Sequence, residues 1–535
     1  MSSDAGVSAR HRALAAKAKR WVLIAFVAFV GVVGLAFAAS FAYPHVRAIT
    51  YVNEGVVSDH RLAIPPLLEP AAIDGEKVFF LTARKGGTEL RPGALSDTAG
   101  YNGTFLGPTI RVHKGEHVRF QIKNELGEDT TVHWHGMKLP AAMDGGPHQP
   151  IAAGATWSPH WTVDNAAATL WYHPHTMGKT AKQVYSGLAG LFIVDDANSD
   201  ALALPKTYGI NDIPLIVQDR DFDAEGRMTY TRNRAQENFG AMGHSVLVNG
   251  TYGPYRNVPQ NLIRLRILNG SNARRYNFGF SDGRRFHQIA TDGGFLDAPV
   301  ERTQTLLGPG ERAEIVVDMS VAHTPVSLMS FAVTGAAPMY HLMRAVTVGE
   351  NDEYQRFKIL ELRPTEDANV ASQLPAQLNT IERVDPRDAS RTRVFRLTDR
   401  MSINGRAMDH SRVDEVVSKG ATEIWEIDNR EALFYHPFHI HAVQFQILSR
   451  KGRPPGEYER GWKDTVIVEP FEIVRVMVRF ADYADPHLPY MYHCHILEHE
   501  DMGMMGQFVV VEDPGADVAI VSPLIGATRT HEHGQ

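Results

Sequence analysis

Val118-Arg-Phe-Gln-Ile-Lys-Asn124 alternates apolar and polar residues and stops at an asparagine. A period of two is what a strand with one buried face needs. Ahead of it lie Asn102-Gly103, Gly107-Pro-Thr-Ile110 and Gly115, residues suited to tight turns. The same order recurs twice. Asn249-Gly250 and Val258-Pro-Gln260 precede Leu262-Ile-Arg-Leu-Arg-Ile-Leu-Asn269, and Asn404-Gly405 and Gly420 precede Glu423-Ile-Trp-Glu-Ile-Asp-Asn429. Three copies predict an all-β chain of three similar domains, over 66–197, 204–349 and 352–514. Further alternating runs, Gln444–Leu448 and Ile473–Phe480, fit that reading. Residues 195–203 and 363–390 read as connections, and 45–90 as a lead-in wrapping the first domain. Residues 515–535 read as a flexible tail whose His531 and His533 carry no assigned role.

A length of 535 residues agrees with about three domains at ~100–200 residues each. Hydrophobic residues make up 44% and charged residues 21%, which is ample for buried cores. The net charge of -7 gives no basic face, so no nucleic-acid partner is expected. The single cysteine, Cys494, excludes an intrachain disulfide.

Residues 1–20 carry Arg10, Arg12, Lys17, Lys19 and Arg20, and the apolar segment at 21–42 opens with an uncharged run from Trp21 to Ala39. That run is long enough to cross a bilayer as a helix, with the basic flank left in the cytoplasm. Ala36-Phe-Ala38 also fits a signal-peptide cleavage site. Both readings send the rest of the chain to the periplasm or exterior, and a retained transmembrane anchor is preferred. The segment has no Arg-Arg pair, which argues against twin-arginine export.

The chemistry concentrates in Met491-Tyr-His-Cys-His-Ile-Leu-Glu-His-Glu-Asp-Met-Gly-Met-Met505. Thiolate and thioether donors favour copper, and imidazole suits it. Three other stretches pair histidines: His133-Trp-His135, His173-Pro-His175 and His436-Pro-Phe-His439-Ile-His441. On a strand, residues two apart share a face, so such a pair can reach one metal cluster while the residue between points away. Cys494 can therefore serve one centre while His493 and His495 serve another. A His₂Cys set with a weak axial Met is an electron-transfer copper pattern. His436, Cys494, His499 and Met504 supply it, and the other eight histidines can hold a polynuclear cluster. Zinc could use imidazole and thiolate, but it leaves two separate donor sets unexplained.

These motifs, with Trp171-Tyr-His-Pro-His175, Gly178–Gly190 and Gly461-Trp-Lys-Asp-Thr-Val466, resemble the multicopper oxidases. The likeness is to the three-domain bacterial branch of laccases, bilirubin oxidases and periplasmic cuprous oxidases, and it spans nearly all of residues 80–512. The resemblance implies three cupredoxin-like Greek-key β-sandwich domains and four copper ions. The type 1 copper would lie in the third domain. His133 and His439 would hold type 2 copper. His135, His173, His175, His441, His493 and His495 would hold the type 3 pair, between the first and third domains. The middle domain resembles the family's spacer.

The same resemblance gives Asp144 and Glu500 a catalytic part as proton shuttles, and makes Cys494 the electron conduit between the centres. Reduction of O₂ to two waters consumes four electrons and four protons, so a buried cluster needs a proton route. Asp464 is the candidate carboxylate for orienting a donor at the blue centre, where docking is expected near His436 and His499. The implied reductant is a phenolic or other aromatic donor, with Cu(I) as the alternative. Residues 350–400 contain no methionine, and Ala432 and Phe434 stand where cuprous-oxidase relatives place Asp and Met. Met401, Met408, Met491, Met502 and Met505 could line a soft-metal path, though core packing is preferred for them. A third possibility, from another class, is a copper-free envelope scaffold like the family's cell-division relatives.

Overall fold

The structure is a computed structural model that describes residues 4–47, 56–333, 353, 355–365, 373–513, 515 and 517–520. His531 and His533 lie outside the described residues, as does most of the expected tail. Among the described residues, six sheets make up the architecture.

The first two sheets come from residues 71–195. One joins Ala71–Ile73, Glu76–Arg91, His117–Glu125 and Thr156–Trp157, with Ala94–Tyr101 and His160–Thr162 at its margins. The other joins Ile110–His113, Gly190–Asp195, Ala168–His173 and His133–His135. Phe79, Phe120, Ile122, Trp134, Leu170 and Phe192 pack between them. The middle pair of sheets encloses Ile263, Leu265, Ile267, Phe278, Ile315 and Leu360. The third pair encloses Phe395, Trp425, Ile427, Phe438, Val476 and Phe508. Cys494 and Met504 belong to that last core.

The internal repeat is structural as well as textual. Asn102, Asn249 and Asn404 all sit at positive φ, 56°, 50° and 55°. Each side chain clamps the first long strand of its domain in the same way. Asn102 accepts from Thr82 N–H and donates to Phe80 O, at 2.7 and 2.8 Å. Asn249 does so with Ile216 and Pro214, and Asn404 with Arg396 and Val394. Asparagine suits the place because it tolerates the left-handed region and carries both a donor and an acceptor. In each domain the repeat strand then runs parallel to the clamped strand, with Lys77 opposite Val118, Asp212 opposite Arg264 and Arg391 opposite Glu423.

The lead-in behaves differently from expectation. His60–Arg61 pairs in parallel with Pro254–Pro259, so it completes an edge of the middle domain, not the first. Glu76–Arg91, within the same stretch, is a long strand of the first domain's sheet. An edge strand takes its register from whichever sheet leaves N–H and C=O groups free, which local sequence does not encode.

A helix spans Asp4–Arg47, so residues 4–20 of the basic segment contribute its first turns. Lys17–Ala36 has a mean hydropathy of 1.9 and is long and apolar enough to cross a membrane. Its large side chains are exposed, Trp21 at 64% and Phe29 at 66%.

Candidate metal centres

The strand His436–Ile440 lies between Asp485–Cys494 and Thr465–Val468, with Phe438 opposite Cys494 and His439 opposite both His493 and Thr465. That register aims residues of one strand to two sides. His436 meets Cys494 inside the third domain, while His439 and His493 leave the sheet toward the first. There, His133–His135 pairs with Ala168–His173, bringing His133 opposite His173.

The smaller centre holds one sulfur and two imidazoles. His436 Nδ1 lies 3.4 Å from Cys494 Sγ, and His499 Nδ1 lies 3.6 Å from it. All three are buried, as is Met504, whose main-chain oxygen accepts from Cys494 N–H. Burial pushes the Cys494 thiol up, so a metal must supply the positive charge that makes it a thiolate. Neither histidine reaches solvent. His499 donates its Nε2–H to Asn238 O of the middle domain, and His436 Nε2 lies 3.9 Å from Asp399 Oδ1. Asp399, 26% exposed, therefore stands between this centre and the outside. Phe239 of the middle domain packs edge-on against Phe434 nearby.

The larger centre contains eight buried histidines, four from each of two domains. His175, His441 and His493 converge through their Nε2 atoms, at 3.2 Å for His175 to His493 and 3.3 Å for His441 to His493. His135 Nδ1 lies 3.4 Å from His173 Nε2, and His495 packs against both rings. His133 and His439 stack on His441 and His135, at 3.8 and 3.7 Å between centroids.

Carbonyl and carboxylate oxygens only accept, so a ring nitrogen beside one carries the proton and the other keeps its lone pair. His133 and His439 donate Nδ1–H to the main-chain oxygens of Asp144 and Asp464. His173 and His493 donate Nδ1–H to Pro174 O and Cys494 O, and His441 donates to Asp144 Oδ2. His135 is turned the other way and donates Nε2–H to Asp464 Oδ1 at 2.9 Å. In each case the free lone pair faces the shared cavity. His133 Nε2, His439 Nε2 and both nitrogens of His495 have no hydrogen-bond partner among the described residues. Buried polar atoms left so are costly unless something binds them. Burial also depresses the imidazolium form, to about 3 in His495 and well below the usual range in His135, His173, His175, His439, His441 and His493. Neutral, tautomer-fixed imidazoles with orphaned nitrogens fit metal ions.

Two of the three expected acids lie against the cluster histidines. Asp144 is buried against His441 and His133. Glu500 is buried with Oε1 3.2 Å from His175 Nδ1 and Oε2 3.3 Å from His493 Nδ1. The third, Asp464, is not beside the smaller centre. It is fully buried behind His135 and His439, where no donor molecule can reach it. The methionines Met401, Met491 and Met505 are core residues. Asp399 and the Asn238 carbonyl had no signal in local spacing.

Three β-sandwiches, with a centre of Cys494 and two histidines in the last and eight histidines shared by the first and last, define a copper protein of the cupredoxin class. Comparison with known proteins agrees. Multicopper oxidase family models match residues 84–199 and 371–514. The multicopper oxidase mco of Staphylococcus aureus is 36% identical over 458 residues, 85% of this chain and 93% of that one. The cell division protein FtsP of Escherichia coli is 37% identical over 450 residues, 84% of this chain and 92% of that one. Among solved structures, the laccase-like multicopper oxidase CueO of Ochrobactrum sp. superposes with a TM-score of 0.76 at 34% identity, covering 84% of this chain and all of that one. The chain belongs to the multicopper oxidase family.

Proposed function

We propose that this protein is a laccase-like oxidase, coupling one-electron oxidation of phenolic or related aromatic donors to reduction of O₂ to water. Its three units are assigned to residues 66–197, 204–349 and 352–514. The observation that carries the reading is the completeness of two buried donor sets joined by consecutive residues, His493, Cys494 and His495. His436, Cys494, His499 and Met504 are assigned to type 1 copper, and His133 and His439 to type 2. His135, His173, His175, His441, His493 and His495 are assigned to the type 3 pair. Copper held by these donors supplies one-electron redox chemistry at the first centre and four-electron reduction of oxygen at the second.

The residues of the chain do the rest. Asp399 lies at the edge of the first centre, where its carboxylate accepts the phenolic proton as the donor gives up an electron. Four such donors release four electrons and four protons, matching one O₂ and two waters. The Cys494 backbone carries the shortest covalent link between the centres, and the His493 ring closes a second path onto the Cys494 carbonyl. Asp144 and Glu500 hold protons at the outer nitrogens of His441, His175 and His493. The walls exclude bulk water, which keeps these charge–dipole interactions strong.

Ala432 and Phe434, the two positions nearest His436 where a soft or acidic donor would be expected for Cu(I), are buried and apolar. That favours aromatic donors over a cuprous-oxidase role. The FtsP relatives keep a scaffold reading in view, and the two complete donor sets weigh against it. Extracytoplasmic placement rests on the apolar N-terminal helix.

Purification from copper-supplemented cells tests this reading. Copper content, an intense blue absorption, and O₂ uptake with a phenol and with Cu(I) are the measurements. Blue protein that consumes O₂ with phenols is the expected result. Uptake with Cu(I) alone would reverse the substrate assignment, and a chain that binds no copper would leave only the scaffold.

A further inference from the structure

The middle domain contributes no ligand, yet one of its side chains reaches the histidine cluster's support. Arg312 begins the strand Arg312–Asp318, immediately after the turn Gly308-Pro-Gly-Glu311. It is fully buried, and its five N–H donors are all used. Nε donates to Thr169 O of the first domain at 2.9 Å. Nη1 donates to Gly310 O at 3.0 Å and Asp464 Oδ1 at 2.7 Å, and Nη2 to Asp292 O at 3.0 Å and Asp464 Oδ2 at 2.6 Å. One guanidinium therefore joins all three domains.

Its partner is the pivot of the cluster. The Asp464 carboxylate accepts from His135 of the first domain, and the Asp464 main-chain oxygen accepts from His439 of the third at 2.8 Å. The space is closed by main chain. A Cβ on Gly136 would come within 2.5 Å of Asp464 Oδ2 and 2.8 Å of Arg312 Nη2. A Cβ on Gly310 would come within 2.9 Å of the His495 ring. A bidentate arginine fixes both the position and the plane of a carboxylate, which a lysine cannot do.

We propose that Arg312 is a positioning residue for the histidine cluster. By holding Asp464 it makes His135 present Nδ1, and it keeps His439 turned to present Nε2. This rests on the copper-oxidase reading above, and it gives the middle domain a part in metal retention beyond that of a spacer.

The test compares wild type, Arg312→Lys, Asp464→Asn and a control, Arg264→Lys. Arg264 is also buried and pairs with Glu314, away from Asp464. Copper per chain is measured after dialysis against a chelator, beside the blue absorption per chain and the thermal midpoint. Supporting changes in metal ligands typically cost about 10–100-fold in affinity. Arg312→Lys should keep its blue colour and lose half or more of its copper. Asp464→Asn keeps the residue's size and should show the same selective loss; it decides the matter if the lysine variant does not fold. Arg264→Lys should lower the midpoint and keep its copper. Full copper retention in Asp464→Asn overturns the proposal, as does retention in a folded Arg312→Lys. Equal copper loss in Arg264→Lys also overturns it, because the effect would then be general destabilisation. A wild-type chain without copper overturns the oxidase reading, and this inference with it.

Discussion

Asp144 Oδ2 lies 2.8 Å from His441 Nδ1, across the boundary between the first and third domains. One carboxylate can thus both orient a cluster ring and hold a proton beside it. The two roles separate by substitution. Asp144→Asn keeps an oxygen to accept from His441 and loses proton transfer. It should keep its copper and its reduction by donor, while O₂ consumption falls by about a hundredfold, the scale of a lost proton-transfer group. Unchanged O₂ uptake in this variant would remove Asp144 from the proton route.

Cys494→Ser replaces the only thiol in the chain with a hard, weakly coordinating hydroxyl. The blue absorption should disappear and turnover should fall to background, with the histidine cluster still retaining metal. Persisting colour with turnover would rule out the electron path through residues 493–495.

Asp399→Asn addresses the donor side. The carboxylate stands 3.9 Å from His436 Nε2 and is part-exposed. Its loss should lower kcat/KM for phenols by roughly tenfold, the low end of general-base effects. Uptake with a donor that releases no proton on oxidation should change little. An equal fall for both donor types would mean that Asp399 acts only by holding Leu433 N–H.

Acid stability should depend on Glu314. Burial raises its carboxyl, but Arg264 and Arg266 overcome this and hold it at about 2. A carboxylate depressed on folding stabilises the protein above its unfolded value and loses that contribution as pH falls through the folded one. The window therefore runs from about 4.5 down to about 2, and the contribution at neutral pH is ~3 kcal/mol. Glu314→Gln should unfold more easily at pH 7 and show a shallower decline in that window, measured by denaturant titration at several pH values. Parallel wild-type and variant curves would contradict this.

Membrane association should reside in the first helix. The full chain is expected in the membrane fraction, and a chain lacking residues 1–47 in the soluble fraction with the same copper content. Soluble full-length protein whose N-terminus has been cleaved near Ala38 would show the helix to be a signal.

Much of this was legible in the sequence. His-x-His pairs and a lone cysteine between histidines carry their chemistry in residue type and a two-residue period, so the histidines and cysteine that the fold brings together could be picked out directly. Asn102, Asn249 and Asn404 marked the repeat because each performs a task few other residues can. Asp464 was misplaced because a loop residue before Thr465 gives no hint of its direction. Its partner Arg312 lies 152 residues away, a pairing created by domain docking and by no local pattern. The attachment of His60–Arg61 was lost for the same reason, since a free sheet edge exists only after the sheet does.

Splitting the cluster between the first and third domains also has a consequence in time. His133, His135, His173 and His175 are made about 260 to 300 residues before His436. A first domain that folds as it emerges carries half a binding site on an open face until the last strands arrive. During that interval the four imidazoles are open to any divalent ion, and the correct occupant has no advantage of geometry. Fidelity in loading is then a matter of synthesis order and metal supply, decided before the finished protein exists.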